Sequence, residues 1–259
     1  MKGKLGRKFQ EEIFSERCQN IVRLLRSYRK KHSQETIHRL RVELKRVNAF
    51  FILFDPQRKG RPGKTFASFR RVFRKAGKIR SAYIHLQVLH DLKTPSGPFI
   101  ENLRTSMLKD ARRFAANAAK RAERIGKYPR LFAHAADGVK TEKIVRFFEK
   151  EMAAIGRKLK KDTGEESLHD LRARMKNLLY LHSFLPGRLV EKIRMDTSYL
   201  HSLQDEIGKW HDVLDTIKVV RRAGGKSKSL ENRLSSEADA RLKDILLHAA
   251  DFHPKITGR

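Results

Sequence analysis

A charged motif occurs twice in this chain, with a histidine, an arginine and a lysine at the same spacing each time. The first copy is His38, Arg41 and Lys45, and the second is His169, Arg172 and Lys176. Arginine and lysine donate hydrogen bonds to phosphate oxygens, and histidine adds a donor whose charge changes near neutral pH. The chemistry that this residue set favours is therefore the binding of anions.

The two copies are separated by 131 residues, and a second motif has the same separation. At this offset Gly77-Lys78 aligns with Gly208-Lys209 without a gap. Two motifs that share one offset indicate an internal duplication. We therefore predict two repeats, residues 1–130 and residues 131–259, joined by a link within residues 126–139.

Apolar residues recur at helical spacing along almost the whole chain, and no segment has the alternation that is typical of strands. Breaks at glycine and proline divide this pattern into four helices per repeat. The predicted helices span residues 10–31, 34–54, 65–91, 98–125, 141–161, 165–185, 188–222 and 229–250. The pattern predicts an all-α protein, built as two four-helix bundles or as one duplicated eight-helix array.

The His-Arg-Lys stripe is predicted to lie beside the apolar face of its helix. With His38 at 0° and about 100° per residue, Arg41 lies at about 300° and Lys45 at about 340°. The predicted apolar face spans about 180° to 260° and comprises Ile37, Leu40, Leu44, Val47 and Phe51. The second repeat has the corresponding apolar residues Leu168, Leu171, Met175 and Leu178. Cations beside a core face can line a groove between helices while their stems pack on apolar neighbours.

The third predicted helix is strongly basic, and no acidic residue occurs between residues 56 and 90. Arg70, Arg74 and Lys78 are spaced four residues apart, and like charges at this spacing repel each other on a helix. A bound anion would relieve that repulsion. The corresponding segment of the second repeat contains Asp205 and Asp212 and is less suited to anions.

The composition favours a polyanionic partner. The net charge is +30, and residues 1–130 carry 34 Lys and Arg against 10 Asp and Glu, a net of +24. Such an excess destabilises the compact state through self-repulsion, which a polyanion would reduce. The single cysteine, Cys18, excludes an intrachain disulfide. Without an apolar leader or a stretch long enough to span a bilayer, a soluble cytoplasmic protein that does not contact membranes is expected.

The doubled motif resembles the CHAD family, the conserved-histidine α-helical domains. The family's pattern is a helix with the motif His-x-x-Arg-x-x-x-[Arg/Lys]-[Arg/Lys], followed later by a helix with the motif Gly-x-x-[Arg/Asn/His]-Asp. Both motifs occur twice. In the first repeat the matching residues are His38, Arg41, Lys45, Arg46, Gly77 and Arg80. In the second repeat they are His169, Arg172, Lys176, Gly208, His211 and Asp212. The chain departs from the pattern at Ser81, where the family often has Asp, and at Asn177, where a second cation is usual.

The resemblance implies two four-helix bundles related by pseudo-twofold symmetry around a basic central channel. It also implies binding of inorganic polyphosphate in that channel, by a stand-alone module. We expect no catalytic role and no cofactor, and we assign no residue as a metal ligand, although the sequence leaves open whether a metal ion accompanies the anion. A polyphosphate-binding protein of this kind could associate with polyphosphate granules in the cytoplasm. The residues expected to contact polyphosphate are His38, Arg41, Lys45, Arg46, Arg70, Arg74, Lys78, Arg80, His169, Arg172, Lys176 and His211.

Two other functions fit parts of the sequence. The first is non-specific nucleic-acid binding, because Lys and Arg neutralise any phosphate backbone. The phenylalanines lie at core spacing, however, which indicates packing rather than base stacking. The second is metal-dependent phosphate hydrolysis, for which His90-Asp91, His169-Asp170 and His211-Asp212 are the candidate ligand pairs.

Overall fold

The computed structural model describes residues 4–54, 64–132, 138–223 and 228–258, and nearly all of its regular structure is helical. The helices before residue 133 are α1 (Arg7–Lys31), α2 (Gln34–Phe54), α3 (Lys64–Asp91), α4 (Pro98–Ala116), α5 (Ala118–Gly126) and α6 (Tyr128–Phe132). The later helices are α7 (Thr141–Lys161), α8 (Glu165–His182), α9 (Gly187–Val190), α10 (Thr197–Arg222), α11 (Lys228–Ala249) and α12 (Phe252–Thr257). The all-α prediction is confirmed.

One short antiparallel strand pair accompanies the helices. Strand β1 (Lys4–Leu5) pairs with β2 (Val139–Lys140), with Leu5 opposite Val139. The predicted link at residues 126–139 includes α6, where Tyr128 is buried, whereas residues 133–137 lie outside the described part of the chain. Among the helices described, none combines the length and the apolar character needed to cross a bilayer.

The chain divides into two compact units. The first comprises Met1–Tyr83 and Asn102–Ile144, and the second comprises Ile84–Glu101 and Val145–Arg259. The repeat boundary between residues 130 and 131, the pseudo-twofold symmetry and the central channel stay predictions.

An aromatic cluster forms the core of the first unit. The ring of Phe14 lies 5.8 Å from that of Phe50 and 5.5 Å from that of Phe51, between centroids. The apolar face predicted for α2 is buried, and Leu40 and Val47 have no exposed surface. Burying large apolar side chains along one face fixes the rotation of α2. That rotation determines where its charged stripe lies.

The second unit buries the corresponding face of α8. Leu168, Leu171 and Met175 are fully buried against neighbouring helices, which include α10. A polar contact is also buried here, where His85 Nδ1 lies 2.9 Å from Thr216 Oγ1. The Thr216 hydroxyl already donates its hydrogen to the carbonyl of Asp212. Nδ1 of His85 must therefore be the donor to Thr216.

Two predicted helices are each divided in the structure. The helix predicted at 98–125 ends before Asn117, whose side-chain amide donates to the carbonyl of Arg113 over 3.0 Å. Asparagine competes in this way for backbone groups and is a poor helix former. The helix predicted at 188–222 is replaced by α9 and α10. Asp196 caps α10 by accepting a hydrogen bond from the Tyr199 amide over 2.9 Å, which fixes the helix start at Thr197.

Candidate functional site

The side chain of Arg41, on α2, contacts the backbone of α3. Its Nη1 donates to the carbonyl of Phe73 over 3.1 Å, and the guanidinium carbon lies 4.2 Å from the centroid of the Phe73 ring. A Cβ atom at Gly77 would lie only 2.6 Å from this Nη1. A glycine is therefore required at residue 77 if Arg41 is to keep this position.

Arg172 makes the same arrangement with α10. Its Nε donates to the carbonyl of Gln204 over 3.3 Å, and a Cβ atom at Gly208 would lie 2.8 Å from Nε. The arginine, the carbonyl and the glycine each lie 131 positions after their counterparts in the first unit. We call these two arrangements the arginine seats. They explain in physical terms why the two sequence motifs occur together in each repeat.

The outer surface of α3 carries three of the predicted phosphate contacts. Arg70, Arg74 and Lys78 are exposed, and within the described part of the chain none of them forms an ion pair with an acidic side chain. We call these three residues the basic ridge. Arg80 is half-buried, with its guanidinium carbon 5.2 Å from the centroid of the Tyr83 ring. The ridge is thus an uncompensated row of charge that is accessible to a ligand.

The other predicted residues of α2 lie in more mixed surroundings. Arg46 donates through Nη1 to Oε1 of the buried Glu43 over 2.7 Å, and Glu43 also accepts from Arg17 over 3.1 Å. His38 is exposed and lines a groove between α1 and α2 together with Arg46. Lys45 is half-buried on α2. Arg46 is therefore held in an internal ion pair, on a different side of α2 from the arginine seat.

In the second unit the two predicted histidines are stacked together. The ring centroids of His169 and His211 lie 4.8 Å apart, and the ring planes are inclined by 31°. Burial lowers the pKa of His211, Asp215 acts in the opposite direction, and His169 and Arg172 lower it further. The pKa of His211 is thus lower than that of an ordinary histidine, which favours the neutral imidazole at pH 7.

An acidic residue lies among these cations. Burial raises the pKa of Asp212, while Arg172, His211 and Lys176 act to lower it. The structure thus brings all four predicted residues of this unit, His169, Arg172, Lys176 and His211, into one electrostatic cluster. The presence of Asp212 in that cluster makes it less positive than the basic ridge.

The cluster also includes residues that the sequence did not single out. His211, Asp215 and Glu165 each place one potential metal-ligand atom within 4.8 Å of the others. Such a set could hold a divalent cation, but Lys218 Nζ already hydrogen-bonds Glu165 and lies 3.4 Å from Asp215. The i,i+4 spacing of His211 and Asp215 could have been read from the sequence. The approach of Glu165 on α8 to α10 could not.

The two units differ in charge at equivalent positions. At the 131-residue offset the ridge residues Arg70, Arg74 and Lys78 align with His201, Asp205 and Lys209. His201 Nδ1 lies 3.0 Å from Asp205 Oδ2, so this part of α10 is internally compensated. The geometry of the arginine seat is therefore present in both units, whereas the strong positive surface is present in the first.

A sequence model of one known family, the CHAD domain, matches residues 12–221 of the chain. No curated protein matches the sequence. Among solved structures, the crystal structure of the CHAD domain from the plant Ricinus communis is similar, with a TM-score of 0.71 at 17% identity over 97% of this chain and 94% of that one. PptA from Streptomyces chartreusis is also similar, with a TM-score of 0.63 at 13% identity over 95% of this chain and 98% of that one.

Proposed function

The chain belongs to the CHAD domain family, and from this premise we propose that it binds inorganic polyphosphate and does not catalyse a reaction. The observation that carries the proposal is the pair of arginine seats, supplemented in the first unit by the exposed ridge of Arg70, Arg74 and Lys78. The same cationic geometry is built twice at one offset, at the cost of placing a glycine within each helix. A ligand that carries repeated negative charge fits such repetition.

The chemistry of the ligand matches that of the residues. Polyphosphate offers oxygens along its whole length and has no bases that need to be read. Arginine engages such oxygens with a planar set of donors, and lysine engages them as a compact charge. The histidines contribute donors that become more effective when protonated. The predicted phosphate contacts are thus suited to a ligand that is recognised by its charge and not by a base sequence.

The position of Asp170 supports a binding role over metal-dependent hydrolysis. Its carboxylate accepts hydrogen bonds from Lys158 over 2.8 Å and from Arg174 over 3.2 Å. The hydrogen bond from Lys158 is the main reason that the pKa of Asp170 is lowered. This carboxylate is therefore engaged by two cations, although the sequence offered it as a ligand beside His169.

The function is tested by competition between long-chain polyphosphate and double-stranded DNA, matched in total phosphate, across a salt series. We expect polyphosphate to stay bound at salt concentrations that release DNA, because a thin, flexible chain can bring a phosphate to each cation. DNA holds its phosphates at fixed spacing and loses affinity steeply as salt rises.

Two outcomes would contradict the proposal. The first is that both ligands are released at the same salt concentration, with equal slopes of log affinity against log salt concentration. This result would identify a general polyanion surface and make nucleic acid the leading partner. Release of inorganic phosphate by the protein, in proportion to its concentration, would identify a hydrolase.

Polyphosphate binding is expected to strengthen as the pH falls below about 6.5, the ordinary pKa of histidine, with His211 as the main contributor. Burial lowers the pKa of His211 in the free protein, and a bound anion favours the protonated imidazole. Affinity therefore rises as His211 takes up its proton, by at most about tenfold per pH unit for one proton. Proton uptake by Asp212, whose pKa is raised by burial, adds in the same direction.

The measurement is the dissociation constant of polyphosphate at fixed salt across this pH range. His211→Asn should flatten the profile, since asparagine does not titrate. His90→Asn is the matched control, because the His90 side chain is 83% exposed and lies outside the cluster. Equal slopes for the two variants would show that His211 is not coupled to the ligand.

A further inference from the structure

A second cationic site lies between α3 and α5 of the first unit, around a cavity of about 250 Å³. We call it the α3–α5 pocket. Its floor includes the buried side chains of Val72 and Ile125. Its charged lining residues are all cations: Arg71, Lys75, Lys120, Arg121 and Arg124. Among the described residues that line it, none is acidic.

Three of the five pocket cations have no acidic partner among the described residues, and Lys120 interacts only electrostatically with Glu123. Arg71, Lys75 and Arg124 make no ion pair with an acidic residue of the described ranges. The acidic residue beside the pocket, Glu123, is exposed and accepts a hydrogen bond from Lys127 over 2.8 Å. Several like charges around one cavity repel each other, and an anion inside it would remove that repulsion.

The groove between α1 and α2 provides the contrast. It is larger, at about 760 Å³, and it is also lined by arginines. However, Glu16, Glu35 and Glu43 line the same groove, and Glu43 already binds Arg17 and Arg46. Concave shape and arginine content are thus common to both sites. The absence of acids from the lining distinguishes the α3–α5 pocket as an anion site.

Arg121 gives the pocket a donor with a fixed position. Its Nη1 donates to the carbonyl of Phe114 over 2.9 Å, and its guanidinium carbon lies 4.5 Å from the centroid of the Phe114 ring. A guanidinium carries five N–H donors, so one held in this way can also donate to a phosphate. The pocket is therefore more than a group of mobile surface chains.

The pocket lies on the opposite flank of α3 from the arginine seat. With Arg70 at 0° and about 100° per residue, Arg71 lies at about 100° and Lys75 at about 140°. Gly77, which holds Arg41, lies at about 340° on the same scale. The basic ridge occupies the surface between the two flanks. The pocket is therefore distinct from the residues to which polyphosphate binding was assigned.

We propose that the α3–α5 pocket binds a compact chain of two or three linked phosphoryl groups, such as tripolyphosphate or the tail of a nucleoside triphosphate. The cavity has the volume of roughly eight water molecules at about 30 Å³ each, which suits such a group. Five cations around it match the high charge density of a triphosphate. The proposal rests on the pocket alone and does not require that the chain binds long polyphosphate.

The first test is calorimetric titration of the full chain with inorganic tripolyphosphate at about 0.15 M salt. At this salt concentration, screening weakens the interaction of exposed charges that are more than about 8 Å apart. Arg71→Glu combined with Arg124→Glu should lower the affinity at least tenfold. The matched control is Lys109→Glu with Arg112→Glu, two exposed cations of α4 in the same unit. It makes the same change in net charge and should lower the affinity less than threefold.

Three results would overturn the pocket assignment. The first is that tripolyphosphate does not bind to the wild-type chain. The second is that the pocket variant and its control lose equal affinity for tripolyphosphate. The third is that replacing the ridge residues by glutamate lowers this affinity more than replacing the pocket residues does. Long polyphosphate is titrated in parallel. A wild-type chain that binds the long polymer but not tripolyphosphate refutes only the pocket. A chain that binds tripolyphosphate at the pocket but does not retain long polyphosphate refutes only the proposed function.

A second measurement does not depend on variants. Acetylation of lysines, followed by mass spectrometry, should show Lys75 and Lys120 protected several-fold by tripolyphosphate, with Lys109 unchanged. Uniform protection of all three lysines would contradict a local site. ATP tested in the same way identifies the source of the ligand. Protection equal to that by tripolyphosphate assigns the pocket to nucleotide tails, and weaker protection assigns it to inorganic chains.

Discussion

Replacing Arg70, Arg74 and Lys78 together by glutamate is expected to weaken the binding of long-chain polyphosphate about a thousandfold. The three side chains are exposed and form a row without acidic partners among the described residues. Each reversal removes an attraction and adds a repulsion, for which we expect roughly 1.4 kcal/mol, or about tenfold per residue. The dissociation constant measured by fluorescence anisotropy across a salt series should also show a shallower salt dependence.

The matched control for this variant reverses three exposed cations of α4, Lys109, Arg112 and Arg113. Both triple variants change the net charge equally, and surface substitutions of this kind leave the fold intact. Thermal unfolding followed by circular dichroism checks that assumption. If the two variants lose affinity equally, polyphosphate responds to overall charge, and the ridge is not its binding site.

Replacing Gly77 and Gly208 together by alanine is expected to lower polyphosphate affinity about a hundredfold without lowering the melting temperature. A Cβ atom at Gly77 would lie 2.6 Å from Arg41 Nη1, and one at Gly208 would lie 2.8 Å from Arg172 Nε. In both cases the crowded group is the end of a flexible side chain, which can swing away. The arginine would then leave its seat while the helix backbone stays in place.

The stability terms for this variant nearly cancel. Alanine gains about 1 kcal/mol over glycine within a helix, and loss of the arginine–carbonyl hydrogen bond costs roughly 0.5 to 1.5 kcal/mol. Stability and binding can therefore be separated in one variant. The control is Gly126→Ala with Gly156→Ala, where the new Cβ atoms approach Val22 and Phe252 instead of an arginine. Wild-type affinity in the Gly77 and Gly208 variant would show that the seats serve packing alone.

The sequence was sufficient to predict the fold class and the rotation of the motif helices. Leu40 and Leu171 were assigned to core faces from spacing alone, and both are fully buried. This worked because a helix has a fixed angular period and only its apolar stripe can face the core. The breaks at Asn117 and Asp196 were missed, since the apolar spacing continues across them. Local hydrogen bonds of these two side chains decided where the helices end.

For the candidate site, the sequence offered a set of residues but could not supply their geometry. The sequence assigned Arg41 and Arg172 as phosphate contacts, but their positions on backbone carbonyls depend on how one helix packs against another. Arg46 was grouped with them because it matches the second cation of the family's motif. Its ion pair with Glu43 arises because Glu43 is buried and must be compensated.

The arginine seats also affect how much conformational entropy the protein would lose when a ligand binds. A free arginine side chain carries roughly 2 kcal/mol of rotamer freedom, which is lost when a ligand immobilises it. Arg41 and Arg172 lose much of that freedom on folding, since each is held on a carbonyl above a glycine. At these two points a bound ligand would therefore immobilise little further side-chain freedom. For the flexible polyanion that we propose as the ligand, the two arginines would act as a preorganised template.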